Sequence, residues 1–93
     1  MIVWFEKEYT IDGYGVFLEG IFKNSVIKII AHIEEDRESS QWSENILYEK
    51  PVNMWIHQEV LAEDIFSKYQ GMIRKSEKKL PSLVEKCKID KSI

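Results

Sequence analysis

Cysteine is almost absent from this sequence: Cys87 is the only one in 93 residues, so no disulfide can form within the chain. Small secreted domains usually depend on several disulfides, whereas free thiols are typical of reducing compartments. The amino terminus also lacks the basic segment and apolar run of a secretory signal. The longest apolar stretch, 26–33, is interrupted by Lys28 and His32 and is far shorter than the roughly 20 residues that span a bilayer. We therefore expect a cytoplasmic protein with no membrane segment.

Patterns for catalysis, metals and phosphate are lacking as well. The two histidines lie in His32-Ile-Glu34 and His57-Gln-Glu59, and neither pattern supplies the three or four ligands that zinc requires. Gly13, Gly15 and Gly20 are not spaced as a phosphate-binding loop, and Ser39-Ser40 has no nucleophile-elbow context. We predict that the protein is not an enzyme and uses no metal or cofactor.

Charge is unevenly distributed. Residues 73–93 contain seven basic and three acidic side chains, a net +4, which leaves −7 for the rest of a chain whose total is −3. A general nucleic-acid binder should be basic over its main surface. We therefore expect no nucleic-acid partner; the basic segment could meet an acidic partner or fold back on the acidic part of the chain.

Alternating apolar residues predict a β-meander over residues 1–34. Three runs, at 2–11, 14–22 and 26–34, follow one another with short connections, and Asp12-Gly13 is a strong hairpin signal. The third run is the richest in β-branched residues and should be the most buried strand. Residues 35–52 are expected to form a polar loop that includes a short strand at 45–50.

The remaining chain predicts a long amphipathic helix over 53–80. Its apolar residues fall on one stripe at 100° per residue, and Asn53 is a suitable N-cap. Pro81 should end the helix, leaving a short second helix and a frayed tail over 81–93. The expected fold is a single α+β domain, in which an antiparallel meander of three to four strands packs on one long C-terminal helix, followed by a short second helix.

Alternation also predicts an apolar second face for the sheet. The helix can cover one layer, which consists of Val3, Phe5, Val16, Leu18, Ile27, Ile29 and Ile33. The opposite layer would hold Trp4, Phe17, Ile21, Val26 and Ile30. Exposed apolar patches of that size usually contact another molecule.

Two functional hypotheses follow. The first is a small non-enzymatic protein-interaction module, an adaptor or inhibitor that binds a protein partner, itself or both, and we expect it to form a homo-oligomer. The bias toward Ile and Lys suggests an AT-rich bacterial or phage gene. Its partner-binding residues would come from the second face and from the acidic loop with its exposed tryptophan: Trp4, Phe17, Ile21, Ile30, Glu35, Asp36 and Trp42.

The second hypothesis is a small-ligand or nucleotide-binding domain. Its site would lie between the loop at 34–44 and the basic end of the long helix. Trp42 or Tyr48 could stack on a base, while Arg74 or Lys75 could meet a phosphate.

Overall fold

Four antiparallel strands and one helix make up the described parts of the computed structural model, which are residues 1–36, 41–53 and 61–91. The strands lie side by side in chain order, so each pairs with its neighbour in the sequence. This confirms the α+β class and the meander, with four strands. The elements are β1 (Ile2–Ile11), β2 (Tyr14–Lys23), β3 (Val26–Asp36), β4 (Gln41–Pro51) and α1 (Ala62–Lys91).

The first two connections are two-residue turns with positive φ at both positions. Asp12 and Gly13 have φ of 51° and 81°, and Asn24 and Ser25 have φ of 52° and 61°. This is the geometry of a type I′ turn, whose twist matches that of the strands it joins. Tight turns of this kind fix the register of the residue pairs next to them. The alternation along each strand therefore decides which side chains reach which face of the sheet.

A β-bulge in β1 changes that alternation near the amino terminus. Val3 pairs with Ile21, but the next pair is Phe5 with Gly20, so Trp4 is the extra residue. Trp4 and Phe5 consequently both face the helix, and Trp4 is only 5% exposed. Our prediction that Trp4 lies on the second face was wrong, because a bulge interrupts the two-residue period.

A second bulge lies on the other edge strand, at the same level of the sheet. Ile29 pairs with Tyr48 and Ile30 with Ile46, which leaves Leu47 unpaired in β4. Leu47 and Tyr48 both pack against the core. Since both edge strands are bulged, neither presents a regular edge to another strand.

The helix covers one face of the sheet along a continuous stripe. The ring of Tyr69 lies 5.9 Å from that of Trp4 and 6.2 Å from that of Tyr48. The one buried polar side chain of the stripe, Ser76, is satisfied because its hydroxyl donates to the Met72 carbonyl at 2.8 Å. The core comprises Trp4, Val16, Leu18, Ile27, Ile29, Ala31, Ile33, Val52, Ile65, Tyr69, Ile73, Leu80 and Val84.

The bounds of the helix differ from those predicted. Leu61 is not helical, so α1 begins at Ala62 rather than at 53; the predicted first turns at 54–60 lie outside the described residues. No second helix follows, because α1 continues through Pro81 to Lys91. Leu80 and Val84 explain this continuation. A proline inside a helix costs about 3 kcal/mol, whereas each fully buried aliphatic side chain contributes about 1.5–3 kcal/mol, and both are fully buried.

Two polar contacts fix the carboxyl-terminal half of the helix against the first hairpin. The Tyr9 hydroxyl donates to Glu77 Oε2 at 2.8 Å. Lys88 Nζ lies 2.9 Å from Asp12 Oδ2. Part of the basic segment therefore does contact the acidic part of the chain.

Burial, followed by the hydrogen bond and negative charge of Glu77, raises the pKa of Tyr9 above its ordinary value. Burial, followed by Tyr48, also raises the pKa of Tyr69.

These raised tyrosine pKa values predict a loss of stability at alkaline pH. A tyrosine in the unfolded chain ionises near pH 10, whereas Tyr9 and Tyr69 stay protonated to higher pH in the fold. Their contribution is complete below pH of about 10 and is lost as pH rises through the folded pKa values. Urea unfolding across this range should show the decline. Tyr9→Phe should lower the free energy of unfolding at neutral pH by about 1 kcal/mol and make the alkaline decline shallower; a profile that coincides with wild type would contradict the assignment.

Candidate partner-binding face

The face of the sheet opposite the helix, called here the open face, consists of five rows of side chains across the strands. Strand register places the residues of each row opposite one another. Four rows cross all four strands and one crosses β2, β3 and β4: Val3-Ile21-Lys28-Glu49, Glu6-Glu19-Ile30-Ile46, Glu8-Phe17-His32-Glu44, Thr10-Gly15-Glu34-Trp42 and Lys23-Val26-Pro51.

Apolar side chains on the open face are accessible to solvent. Val3 is 37% exposed, Trp42 47% and Ile46 51%. Phe17 and Ile21 are half-buried, and Ile30 on the central strand β3 is buried beneath its neighbours. The second face is therefore apolar along its middle, as predicted, although two of its exposed members were not foreseen.

The same face is strongly acidic. By register it carries six glutamates, at positions 6, 8, 19, 34, 44 and 49, against two lysines, Lys23 and Lys28. Glu6 and Glu19 stand directly opposite each other, an arrangement that destabilises a sheet because like charges repel. The imidazole of His32 lies beside this pair, with its Nε2 3.4 Å from Glu19 Oε1. The face thus combines apolar area with a negative rim.

Five of the seven predicted partner-binding residues belong to the open face or its end. Phe17, Ile21, Ile30 and Trp42 lie on the face itself, and Glu35 is the extra residue of an irregular pairing near the end of β3. The backbone of Asp36 ends β3, but its side chain is outside the described part of the structure. Trp4 lies in the core on the helix side.

The residues of the predicted nucleotide site are not brought together. Trp42 lies on the open face, whereas the Tyr48 ring packs near Tyr69 on the helix side of the sheet. Arg74 lines a separate depression on the helix side, beside Phe5 and Phe66, and Lys75 is exposed on the helix.

Sequence reasoning missed Val3 and Ile46 and most of the acidic residues of the open face. The bulge at Trp4 moves Val3 from the predicted helix layer to the open face. The alternation Trp42-Glu44-Ile46 signals this face in β4, but Leu47 and Tyr48 then break the two-residue period. A strand over 41–46 could have been found from that alternation, whereas the bulge could not.

The described residues contain neither a metal-binding cluster nor a membrane-spanning helix. In residues 1–36, 41–53 and 61–91, no three His, Cys, Asp or Glu side chains cluster in a way that could hold a metal ion. Within the same residues, no helix has the length and apolar character needed to cross a bilayer. Comparison with known family models, curated proteins and solved structures finds no match for this chain.

Proposed function

We propose that this protein is a small non-enzymatic interaction module that binds a basic protein partner through the open face. The observation that carries the proposal is the coincidence of exposed apolar side chains, at Val3, Trp42 and Ile46, with six glutamates on one face. Apolar area supplies the binding energy of an interface. The surrounding charge selects a positive partner and accelerates its approach.

Charge also bears on self-association. A symmetric dimer through the open face would oppose six glutamates with six identical ones, and like charges facing each other cost several kcal/mol. Pairing through a sheet edge is hindered by the bulges at Trp4 and Leu47. A different protein with a basic, partly apolar surface is therefore the better occupant of this face.

The experiment compares two isoleucines of similar exposure. Ile46 on the open face is 51% exposed and Ile89 on the helix is 56% exposed. We expect Ile46→Asp to weaken partner binding by about 30-fold, as at an interface hot spot, while Ile89→Asp leaves it unchanged. Partners retained by wild type and by Ile89→Asp, but lost from Ile46→Asp, are identified by mass spectrometry. Their affinity is then measured by calorimetry with purified components.

Sedimentation and thermal unfolding of each variant show whether the fold and the oligomeric state are unchanged. Equal retention of every partner by both aspartate variants would contradict the proposal. So would a purified partner whose contact surface is acidic. A wild-type dimer that Ile46→Asp dissociates would replace the basic partner with a second copy of the chain.

A further inference from the structure

A pocket of about 400 Å³ lies at one end of the open face. Glu8, Phe17, Glu19, His32 and Trp42 line it. The rings of Phe17 and His32 lie 5.7 Å apart on the adjacent strands β2 and β3. They are tilted by 33° relative to each other and form the floor of the pocket, and Glu8 and Glu19 are the acidic residues that line it.

Gly15 explains how the tryptophan forms a wall of this pocket. A Cβ at Gly15 on β2 would lie 3.3 Å from Cη2 of Trp42, a residue of β4. The indole therefore extends from β4 across β3 as far as β2. The same Cβ would lie 2.7 Å from Glu34 Oε2, so any side chain larger than hydrogen would displace the carboxylate, the indole or both.

The pocket has the chemistry of a cation site rather than an anion or metal site. Glu8 and Glu19 supply negative charge, and neither lysine nor arginine is among the described residues that line it. Aromatic faces attract cations through their electron-rich surface. A planar guanidinium stacks on such a face and at the same time donates paired hydrogen bonds to a carboxylate, which a lysine ammonium cannot reproduce.

We propose that this pocket binds the guanidinium group of an arginine side chain from the protein partner. The proposal rests on the proposed function of the open face and names the group that the face recognises. The guanidinium stacks on the floor at Phe17, beside the indole of Trp42, with its N–H groups directed at Glu8 and at the carboxylate of Glu19. Trp and Arg are the residue types most enriched at interface hot spots, so one such contact can decide which basic proteins bind.

The test uses small probes on the full chain. N-acetyl-argininamide is titrated into ¹⁵N-labelled protein while the indole N–H signal of Trp42 is followed; this signal is assigned with Trp42→Phe. N-acetyl-citrullinamide has the same shape without the charge, and N-acetyl-lysinamide has the charge without the plane. We expect a dissociation constant on the order of millimolar for the arginine probe, binding at least about fivefold weaker for the lysine probe, and no saturable shift with citrulline.

Single substitutions test whether the arginine probe binds in this pocket. Glu8→Gln and Trp42→Ala should each weaken binding of the arginine probe by about fivefold or more. Glu63→Gln, at an exposed position of α1 away from the open face, is the matched control and should bind as wild type does. Equal shifts of the Trp42 indole signal with the arginine and citrulline probes would contradict the proposed arginine site. So would unchanged binding of the arginine probe by Glu8→Gln.

Failure of the pocket is distinguishable from failure of the face. Ile46 does not line the pocket. If Ile46→Asp loses its partner and the arginine probe does not bind, partner binding by the open face is supported and arginine binding by the pocket is contradicted. If the probe binds at Trp42 and Ile46→Asp keeps every partner, arginine binding by the pocket is supported and partner binding by the wider open face is contradicted.

Discussion

Gly20→Ala is expected to lower the free energy of unfolding by about 2–3 kcal/mol, the cost of overpacking a filled core. A Cβ at this position would lie 2.6 Å from Cε2 and 2.7 Å from Cζ2 of Trp4. The indole cannot simply move aside, because it is 5% exposed and packs near Tyr69. Urea unfolding followed by circular dichroism measures the loss.

Two comparisons separate this steric effect from the general preference against glycine. At Gly71 in the helix, an added Cβ meets nothing within 4 Å, so Gly71→Ala should stabilise the protein by about 1 kcal/mol. In a Trp4→Leu background the smaller side chain leaves room, and Gly20→Ala should then be close to neutral. If Gly20→Ala costs the same with and without the indole, the close approach of Trp4 to Gly20 is not what makes the glycine necessary.

The fold followed from the sequence where short-range rules suffice. Asp12-Gly13 specifies the first turn, and the β-branched run at 26–33 identifies the most buried strand. Helical periodicity identified the buried stripe from Ile65 to Leu80. The prediction that the helix ends at Pro81 was wrong. The penalty of a proline is local, whereas the burial of Val84 depends on packing against the sheet. Tertiary contacts decided the end of the helix there.

The sequence predicted some, but not all, of the residues that lie on the open face. Alternation alone placed Phe17, Ile21 and Ile30 on a second apolar face. A bulge at Trp4 adds one residue and exchanges the faces of everything before it, and no local signal marks such a bulge. Clustering of glutamates from four strands is also invisible in the sequence, since it depends on register between residues far apart in the chain.

Replacing Glu6 and Glu44 with lysine is expected to slow association with the basic partner by about tenfold or more and to remove most of its dependence on salt. Both residues lie on the open face but do not line the arginine pocket. The double variant changes the net charge from −3 to +1, and charge complementarity acts mainly on the association rate. Stopped-flow or surface-binding kinetics at several salt concentrations provide the measurement.

Folding stability should change in the opposite direction in the same variant. Glu6 stands opposite Glu19, so Glu6→Lys exchanges a repulsive cross-strand pair for an attractive one worth about 0.2–1 kcal/mol. The matched control, Glu63→Lys with Glu85→Lys, reaches the same net charge through exposed residues of the helix and should leave partner kinetics close to wild type. If both double variants slow association equally, total charge rather than the open face governs recognition. A rise in stability together with a loss of binding in the Glu6 and Glu44 variant would show that the repulsion on this face is retained for binding rather than for folding.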